Sequence, residues 1–223
     1  MKLLTFNVQM FPVPFRRNRS RAKKLQFLLA PAKYDIICLQ ELYHSSYPFP
    51  NCVNRNALFP NMYAALVPKP RSLRFTCDAG LAIYSKRQIL ISKFCPFSKS
   101  GHLNDNGVLY ACIRVSEHRH VHVFNTHLHK KSRTIRAVQL EELYIFINSI
   151  TSLDTAAIIL TGDFNQRLID IPMFRSRSIY SGHQTTGCFN YVCVQDSGRL
   201  AGNISTHSLE NISTQHAVEF EVR

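Results

Sequence analysis

Residues 158–165 of this chain combine a buried strand with a polar turn, and no other stretch constrains the fold as strongly. The residues up to Thr161 are mainly apolar and include β-branched side chains, as in a central strand covered on both faces. We expect Gly162 to end this strand. Asp163 and Asn165 follow two residues apart, so extended geometry would point both side chains the same way. The pair can orient water or bind a phosphate-coordinated metal; the alternative is an ordinary capped turn.

Polar residues also stand at the ends of other predicted strands. The sequence predicts strands at residues 3–8, 34–41, 62–67, 79–85, 89–94, 108–115, 120–127, 189–194 and 216–222. The polar residues at their ends, together with the first pair, are Asn7, Glu41, His127, Asp163, Asn165 and His216. Glu41 alone fits a solvated position at the end of a strand. Six such positions indicate a rim where side chains can converge.

Helical signals are few beside these strands. A short helix is expected to start with Ser20 as its N-cap and to end before Pro31, and a longer one covers residues 132–150 with Ser132 as its cap. Strands that follow strands, with few helices between them, indicate an α+β fold of two packed mixed β-sheets flanked by outer helices. No linker-like segment divides the chain, which predicts one domain over residues 1–223.

The formal net charge of +13 is the strongest compositional bias. It predicts attraction to polyanions or to anionic membranes, although charge that merely keeps the protein in solution is an alternative. One cluster of basic residues lies near the N-terminus, before the first acidic residue, Asp35. They are Arg16, Arg17, Arg19, Arg21, Lys23 and Lys24. No run reaches the ~18 apolar residues of a transmembrane segment.

The seven cysteines lack a C-x-x-C pair, and Cys38, Cys112 and Cys193 lie in apolar, strand-like runs. This pattern favours buried free thiols in a reducing intracellular compartment, the cytoplasm or the nucleus. His120 and His122 alternate with apolar residues, so we interpret them as the solvated face of a strand rather than as metal ligands.

The polar strand ends occur in a recognisable order: Thr-Phe-Asn7, Leu-Gln-Glu41, Asn-Thr-His127, Gly-Asp163-Phe-Asn165 and a terminal His216. This order resembles the endonuclease/exonuclease/phosphatase superfamily, which includes deoxyribonuclease I. Residues 7–12, 80–86, 121–129 and 136–140 are most similar to the neutral sphingomyelinases within it. The resemblance implies a deoxyribonuclease I-like fold and hydrolysis of a phosphodiester in a lipid headgroup or nucleic acid.

The same resemblance implies a metal and its ligands. Glu41 would be the principal Mg²⁺ ligand, with Asn7 beside it, and Mn²⁺ would be an alternative metal. A hard cation that takes oxygen ligands and keeps its waters suits a carboxylate and an amide.

Catalytic roles follow from the resemblance in the same way. Asp163 would orient or deprotonate the attacking water, and Asn165 would hold a phosphate oxygen. His127 would donate to the phosphoryl group, and His216 would be the second catalytic histidine. In-line attack builds charge on the equatorial oxygens, which explains why these groups gather at one point.

Three positions depart from the family pattern. Asn106 stands where a lysine is usual, and Asn190 and Gln215 replace two carboxylates. Asp170 and Asp196 are candidates to replace the lost carboxylates in space. Three functions therefore remain open: a sphingomyelinase-like phosphodiesterase with weakened activity, a nuclease of the same fold, and a catalytically impaired pseudoenzyme that binds polyanions or a protein partner.

Overall fold

The computed structural model describes residues 1–10, 18–29, 33–43, 53–68, 77–100, 105–150, 157–166, 179–180, 184–185, 188–195, 202–208 and 216–222. From residue 179 onward, burial and side chains are described only for residues 217–221. The backbones of Asn190 and His216 are therefore placed, but their side chains are not. Arg16, Arg17, Asp170, Asp196 and Gln215 lie outside the described residues.

The described chain forms thirteen strands and two α-helices. The strands are β1 (Lys2–Asn7), β2 (Ile36–Gln40), β3 (Tyr63–Leu66), β4 (Ala82–Ser85), β5 (Ile89–Pro96), β6 (Gly107–Ser116), β7 (Arg119–His127), β8 (Ala157–Asp163), β9 (Ile179–Tyr180), β10 (Gln184–Thr185), β11 (Cys188–Gln195), β12 (Gly202–Ser208) and β13 (His216–Val222). The helices are α1 (Asn18–Leu28) and α2 (Arg133–Ile150), and a 3₁₀ turn covers Arg55–Ala57.

These strands form two mixed sheets. The first has the order β12-β13-β1-β2-β4-β3, and the second has the order β10-β11-β8-β7-β6-β5, with β9 paired to β11. β1 runs parallel to β2 and β7 runs parallel to β8, while the other pairs are antiparallel. The predicted architecture of two packed mixed sheets is confirmed.

Alternating side chains of β2 explain why its sequence is apolar from Ile36 to Leu39. Ile36 and Cys38 pack between the two sheets, whereas Ile37 and Leu39 belong to the cluster beneath α1. A strand covered on both faces reads as a continuous apolar run. On the outer face of the second sheet, Leu143 of α2 packs in the same way into a third cluster. The helices therefore lie outside the sheets, as predicted.

Several predicted boundaries can be compared with the structure. The last strand spans residues 216–222 as expected, and the Ser132 hydroxyl accepts the Ile135 N–H at 3.2 Å, which confirms Ser132 as the cap of α2. Ser20 as the start of α1 is wrong: the helix begins at Asn18 and Ser20 is exposed within it. Gly162 as the end of its strand is also wrong, because β8 continues through Asp163.

The predictions for the cysteines, and for the histidines outside the rim, agree with the described structure in part. Cys38, Cys77, Cys95 and Cys112 are free thiols, and all but Cys95 are buried. His120 is exposed, but His122 is half-buried beside the Tyr110 hydroxyl, 2.9 Å from its Nδ1, and burial lowers the pKa of His122. Among the described helices, none is long and apolar enough to cross a membrane.

Candidate active site

The two parallel strand pairs bring the predicted rim residues to one edge of the fold. Asn7 pairs with Gln40 where β1 and β2 end, and His127 pairs with Asp163 where β7 and β8 end. The carboxyl ends of parallel strands meet at one edge of a sheet, so polar residues placed there approach one another. The two β-sheets pack so that both edges meet, since the Asn7 amide contacts Asp163.

Two further rim positions are placed by their backbones. Asn190 lies directly opposite Asp163 in the antiparallel β8/β11 pair. His216 begins β13, and the pairing of Thr5 with Val218 puts the start of β13 at the edge where β1 ends. Both positions therefore belong to the same edge as the four residues above.

The Asn7 side chain connects two carboxylates. Its Nδ2 donates to Glu41 Oε1 at 2.9 Å and to Asp163 Oδ2 at 3.0 Å, while its Oδ1 accepts the Gln9 N–H at 3.0 Å. Asn7 is fully buried, Asp163 is 1% exposed, and the Glu41 side chain is 21% exposed. Hydrogen bonds to ionised groups are stronger than neutral ones, so this amide fixes the two carboxylates relative to each other.

His127 faces the same two carboxylates. Its Nε2 lies 4.0 Å from Glu41 Oε1 and 3.9 Å from Asp163 Oδ2, which leaves both contacts longer than hydrogen bonds. Its Nδ1 is buried without a hydrogen-bond partner among the described residues. The Asn106 amide donates to the His127 carbonyl at 3.0 Å. Asn106 thus holds the backbone of this histidine.

Asn165 ties the loops after β7 and β8 together. Its backbone N–H donates to Asp163 Oδ1 at 3.0 Å and its Nδ2 donates to the Leu128 carbonyl at 2.8 Å. An amide nitrogen carries two hydrogens, so one bond to Leu128 leaves a donor for a phosphate oxygen. Arg136 reinforces the same loops, with bonds to Gln166 Oε1 at 3.1 Å and to the His129 carbonyl at 2.9 Å. The phosphate role of Asn165 stays a prediction.

The side chains fit a divalent cation bound through few protein oxygens. Glu41 Oε1 and Asp163 Oδ2 both lie about 3 Å from the same amide nitrogen, and close carboxylates repel each other unless a cation lies near them. In the described parts of the chain, no three His, Cys, Asp or Glu side chains form a ready-made metal cage. Mg²⁺ commonly binds through one or two carboxylates and keeps several waters.

Asn7 positions the two carboxylates, a role that its prediction as a metal ligand does not include. Its oxygen accepts from the Gln9 backbone, and its nitrogen is directed at the carboxylates. An amide oxygen has a second lone pair, so its role as a ligand stays a prediction.

A buried polar network beneath the rim was missed by sequence reasoning. Gln40 Nε2 donates to Asn125 Oδ1 at 2.7 Å and to Thr5 Oγ1 at 2.9 Å, and Asn125 Nδ2 donates to the Leu39 and Ala82 carbonyls. These contacts link β2 of one sheet to β7 of the other. The signal was available: Gln40 and Asn125 are polar residues inside otherwise apolar strands, and such groups are hydrogen-bonded when buried.

The basic residues of α1 do not act as one group. Arg21 donates to the Val8 carbonyl at 3.0 Å and to the Gln9 carbonyl at 2.9 Å, so it holds the loop that follows Asn7. Arg19, Lys23 and Lys24 are exposed. The exposed basic side chains of α1 in the described structure are therefore these three.

Known proteins resemble this chain in sequence and in fold. The profile of the Endonuclease/Exonuclease/phosphatase family matches residues 4–209. A sphingomyelinase of Dictyostelium discoideum is 32% identical over 171 residues, which are 60% of this chain and 37% of that protein. The chain thus spans little more than a third of the length of this relative.

Two solved structures have the same fold along almost their whole length. A mutant β toxin of Staphylococcus aureus with bound magnesium ions superposes with a TM-score of 0.75 at 17% identity, covering 100% of this chain and 99% of the toxin. Sphingomyelinase C of Streptomyces griseocarneus superposes with a TM-score of 0.74 at 16% identity, covering 99% and 98%. At this identity the likeness concerns the fold.

Proposed function

Because the chain belongs to the Endonuclease/Exonuclease/phosphatase family, we propose that it is a Mg²⁺-dependent phosphodiesterase that acts on a lipid headgroup, in the manner of a sphingomyelinase. One observation carries this proposal: the Asn7 amide donates hydrogen bonds to both the Glu41 and the Asp163 carboxylate. One oxygen of each carboxylate also lies within 4.0 Å of His127 Nε2. Oxygen ligands, a base and an imidazole donor are what hydrolysis of a phosphodiester requires.

Each residue has a distinct role in this proposal. Glu41, the more exposed carboxylate, holds the metal, which when bound stabilises charge on the phosphoryl oxygens. Asp163 Oδ1 accepts the Asn165 N–H within the turn, and Oδ2 points into the site. In this proposal, Oδ2 orients the attacking water and accepts its proton. His127 donates from Nε2 to the phosphoryl group. Asn165 contacts a phosphate oxygen, and His216 is the second histidine.

A lipid substrate is favoured by the outer face of α1. Arg19, Lys23 and Phe27 are spaced four residues apart and therefore share one side of the helix. Phe27 is 84% exposed, and Lys24 stands beside it. Basic side chains attract an anionic membrane, and an exposed aromatic ring adds apolar contact with the lipid interface. The 32% identical relative, a sphingomyelinase, supports the same choice.

A nuclease of the same fold is the second candidate, and the net charge of +13 favours it. Neutralisation of phosphates by Lys and Arg supplies much of the affinity for nucleic acid. The third candidate is an impaired pseudoenzyme that binds polyanions or a protein partner. Its support is Asn190, an amide opposite Asp163 at a family carboxylate position, together with Gln215.

A substrate panel separates the three candidates. Purified protein is assayed on sphingomyelin vesicles, plasmid DNA, nucleotides and inositol phosphates with Mg²⁺, Mn²⁺ or EDTA. We expect release of phosphocholine that stops with EDTA, returns with Mg²⁺ and falls at least about 10²-fold in Glu41→Ala. Glu141→Ala, an exposed carboxylate of α2, is the matched control and retains activity. DNA nicking without lipid turnover would instead identify a nuclease.

The replaced carboxylates are tested by restoring them. The double variant Asn190→Asp with Gln215→Asp is compared with the wild type on the same panel. We expect a gain in turnover of more than tenfold if the missing carboxylates limit catalysis. Wild type and double variant both inactive on every phosphodiester would support the pseudoenzyme.

Membrane contact is tested by co-sedimentation with phosphatidylcholine vesicles that contain or lack phosphatidylserine. A basic residue near an anionic surface contributes about 1 kcal/mol, so Lys23→Ala should weaken binding roughly fivefold, and less at high salt. Phe27→Ala should weaken it as well. Ile145→Ala, on α2 and 60% exposed, is the matched apolar control. Equal losses in Phe27→Ala and Ile145→Ala would contradict a specific contact through α1.

A further inference from the structure

Glu41 depends on its backbone for the direction of its carboxylate. It follows the end of β2 and has a φ of +56°, in the left-handed region that residues with a Cβ rarely adopt. Its carbonyl accepts the Met10 N–H at 3.0 Å. A left-handed non-glycine residue persists only where its surroundings hold it. The contacts that hold Glu41 therefore bear on where a metal would bind.

Gly80 packs directly against this turn from the other side. Its carbonyl accepts the Leu42 N–H at 2.9 Å. A Cβ on Gly80 would lie 3.1 Å from the Glu41 Cα and 2.8 Å from the Tyr43 ring, and Gly80 itself has a φ of +66°. The Tyr43 ring is buried, so it is a fixed part of this packing. Gly80 is thus the immediate support of the Glu41 backbone.

The conformation at Gly80 is in turn set by a buried ion pair. Asp78 Oδ1 accepts the Gly80 N–H at 2.9 Å, and Asp78 Oδ2 accepts from Arg55 Nη1 at 2.6 Å. The side chains of Arg55 and Asp78 are 5% and 1% exposed. Arg55 Nη2 also donates to the Val67 carbonyl at 3.2 Å. The guanidinium therefore anchors the Asp78 turn to the residues around β3.

We propose that Arg55 and Asp78 are positioning residues for the Glu41 metal site, acting through Gly80. Neither side chain is among the rim residues, so their effect passes through the Asp78–Gly80 bond and the Gly80 contacts with Glu41 and Leu42. This inference rests on the proposed function, because it assumes that Glu41 holds Mg²⁺. Groups that orient a metal ligand without touching the metal commonly alter its affinity 10- to 100-fold.

The test measures Mg²⁺ binding without substrate. The thermal unfolding midpoint is recorded by circular dichroism against MgCl₂ concentration, because a ligand that binds the folded state raises the midpoint with its concentration. Asp78→Asn keeps an oxygen for the Gly80 N–H and removes the charge. Gly80→Ala keeps the ion pair and disturbs the contact with Glu41. We expect both to raise the Kd for Mg²⁺, fitted from the midpoints, about tenfold or more.

A stability control separates positioning from simple destabilisation. The Tyr84 hydroxyl donates to the Arg55 carbonyl at 2.9 Å, so Tyr84→Phe weakens the same buried cluster without touching the Asp78–Gly80 bond. We expect Tyr84→Phe to lower the midpoint and leave the fitted Kd for Mg²⁺ unchanged. Arg55→Lys preserves the charge, and we expect a shift smaller than that of Asp78→Asn. Arg55→Lys is the mildest of these changes, so its Mg²⁺ affinity tests the positioning role if the other variants fail to fold.

The outcomes distinguish this inference from the proposed function. If the wild type binds Mg²⁺ and the folded variants of Asp78, Gly80 and Arg55 bind it equally well, the positioning role is refuted and the metal-dependent function stands. If the wild type itself shows no shift with Mg²⁺, the proposed function fails and takes this inference with it. At saturating Mg²⁺, turnover of Asp78→Asn should largely recover, since the ligand remains and only its position is perturbed.

Discussion

Gly162→Ala should separate the two strands that carry His127 and Asp163. Gly162 lies inside β8 opposite Thr126 of β7, one residue before the His127–Asp163 pair. A Cβ at Gly162 would lie 2.0 Å from the Thr126 carbonyl oxygen, whereas real Cβ atoms essentially never approach another atom within 3.0 Å. Because the obstacle is backbone, the strands must open by about 1 Å at this point.

The size of the effect follows from that displacement and from the backbone conformation. Gly162 has a φ of +144°, a value that strains any residue with a Cβ by roughly 1–3 kcal/mol. Overpacking in a well-packed interior costs roughly another 1–3 kcal/mol. We therefore expect a loss of about 2–6 kcal/mol in the free energy of unfolding. A misplacement of 1 Å at reacting groups lowers turnover about 10²-fold.

The assay compares stability and turnover per folded molecule. The chain has no tryptophan, so urea unfolding is followed by far-ultraviolet circular dichroism. Thr161→Ala is the matched control: it removes the bond from Thr161 Oγ1 to the Phe124 carbonyl, 3.2 Å long, without adding an atom between the strands. It should lose about 1–2 kcal/mol and keep its turnover. Gly162→Ala with wild-type stability and turnover would refute the close approach of β7 and β8.

Three smaller predictions concern single contacts. Burial alone would raise the pKa of Glu219, but the hydrogen bond from Lys2 and the neighbouring charges lower it below the ordinary value of 4.5. The ionised Glu219 therefore stabilises the fold above about pH 4.5, and this stabilisation is lost as the pH falls through the lower pKa of the folded state. Urea unfolding between pH 7 and pH 3 should show a weaker pH dependence in Glu219→Gln. Ser132→Ala should reduce stability by about 1 kcal/mol in the same assay and leave turnover unchanged. Asn106→Ala removes the bond to the His127 carbonyl and should lower turnover about tenfold, measured at saturating Mg²⁺.

Sequence patterns predicted the elements where local and tertiary preferences agree. Residues 216–222 alternate cleanly and form β13 with the expected bounds, and Ser132 caps α2 because its hydroxyl meets an otherwise unpaired N–H. The convergence of Asn7 with Asp163, far apart in the chain, required the resemblance to a family. Composition and periodicity alone do not say which strand ends meet.

Failures occurred where packing decided between equivalent local signals. Glycine commonly ends strands, but Gly162 stays within β8 because only a residue without a Cβ fits against Thr126. Asn18 and Ser20 are both good residues for a helix start, and α1 begins at Asn18, which lies buried with its amide on the Met10 carbonyl. The role of Arg55 could not be predicted, because a buried ion pair has no periodic signature in sequence.

The turn interpretation and the catalytic interpretation of residues 162–165 describe the same atoms. In the described chain, one type of turn recurs near this edge. An Asn or Asp side chain accepts a hydrogen bond from the backbone N–H two residues later, and the residue that donates it has a backbone conformation in the left-handed region. The pairs are Asn7 with Gln9 at φ +50°, Asp78 with Gly80 at +66°, and Asp163 with Asn165 at +51°. Asx turns of this kind are ordinary structural chemistry.

In each of these turns, one side-chain oxygen accepts a hydrogen bond from the backbone of the turn, and the other terminal atom of the same side chain points away from the turn. That second atom is Nδ2 in Asn7, which reaches Asp163 and Glu41; it is Oδ2 in Asp163, which faces Asn7, and Oδ2 in Asp78, which reaches Arg55. The turn therefore fixes the rotamer before any metal or substrate arrives, and a preorganised group loses little entropy on binding. Under the proposed function, the capped turn directs the Asp163 carboxylate toward the attacking water, so the turn interpretation of Gly-Asp-x-Asn supports the functional interpretation.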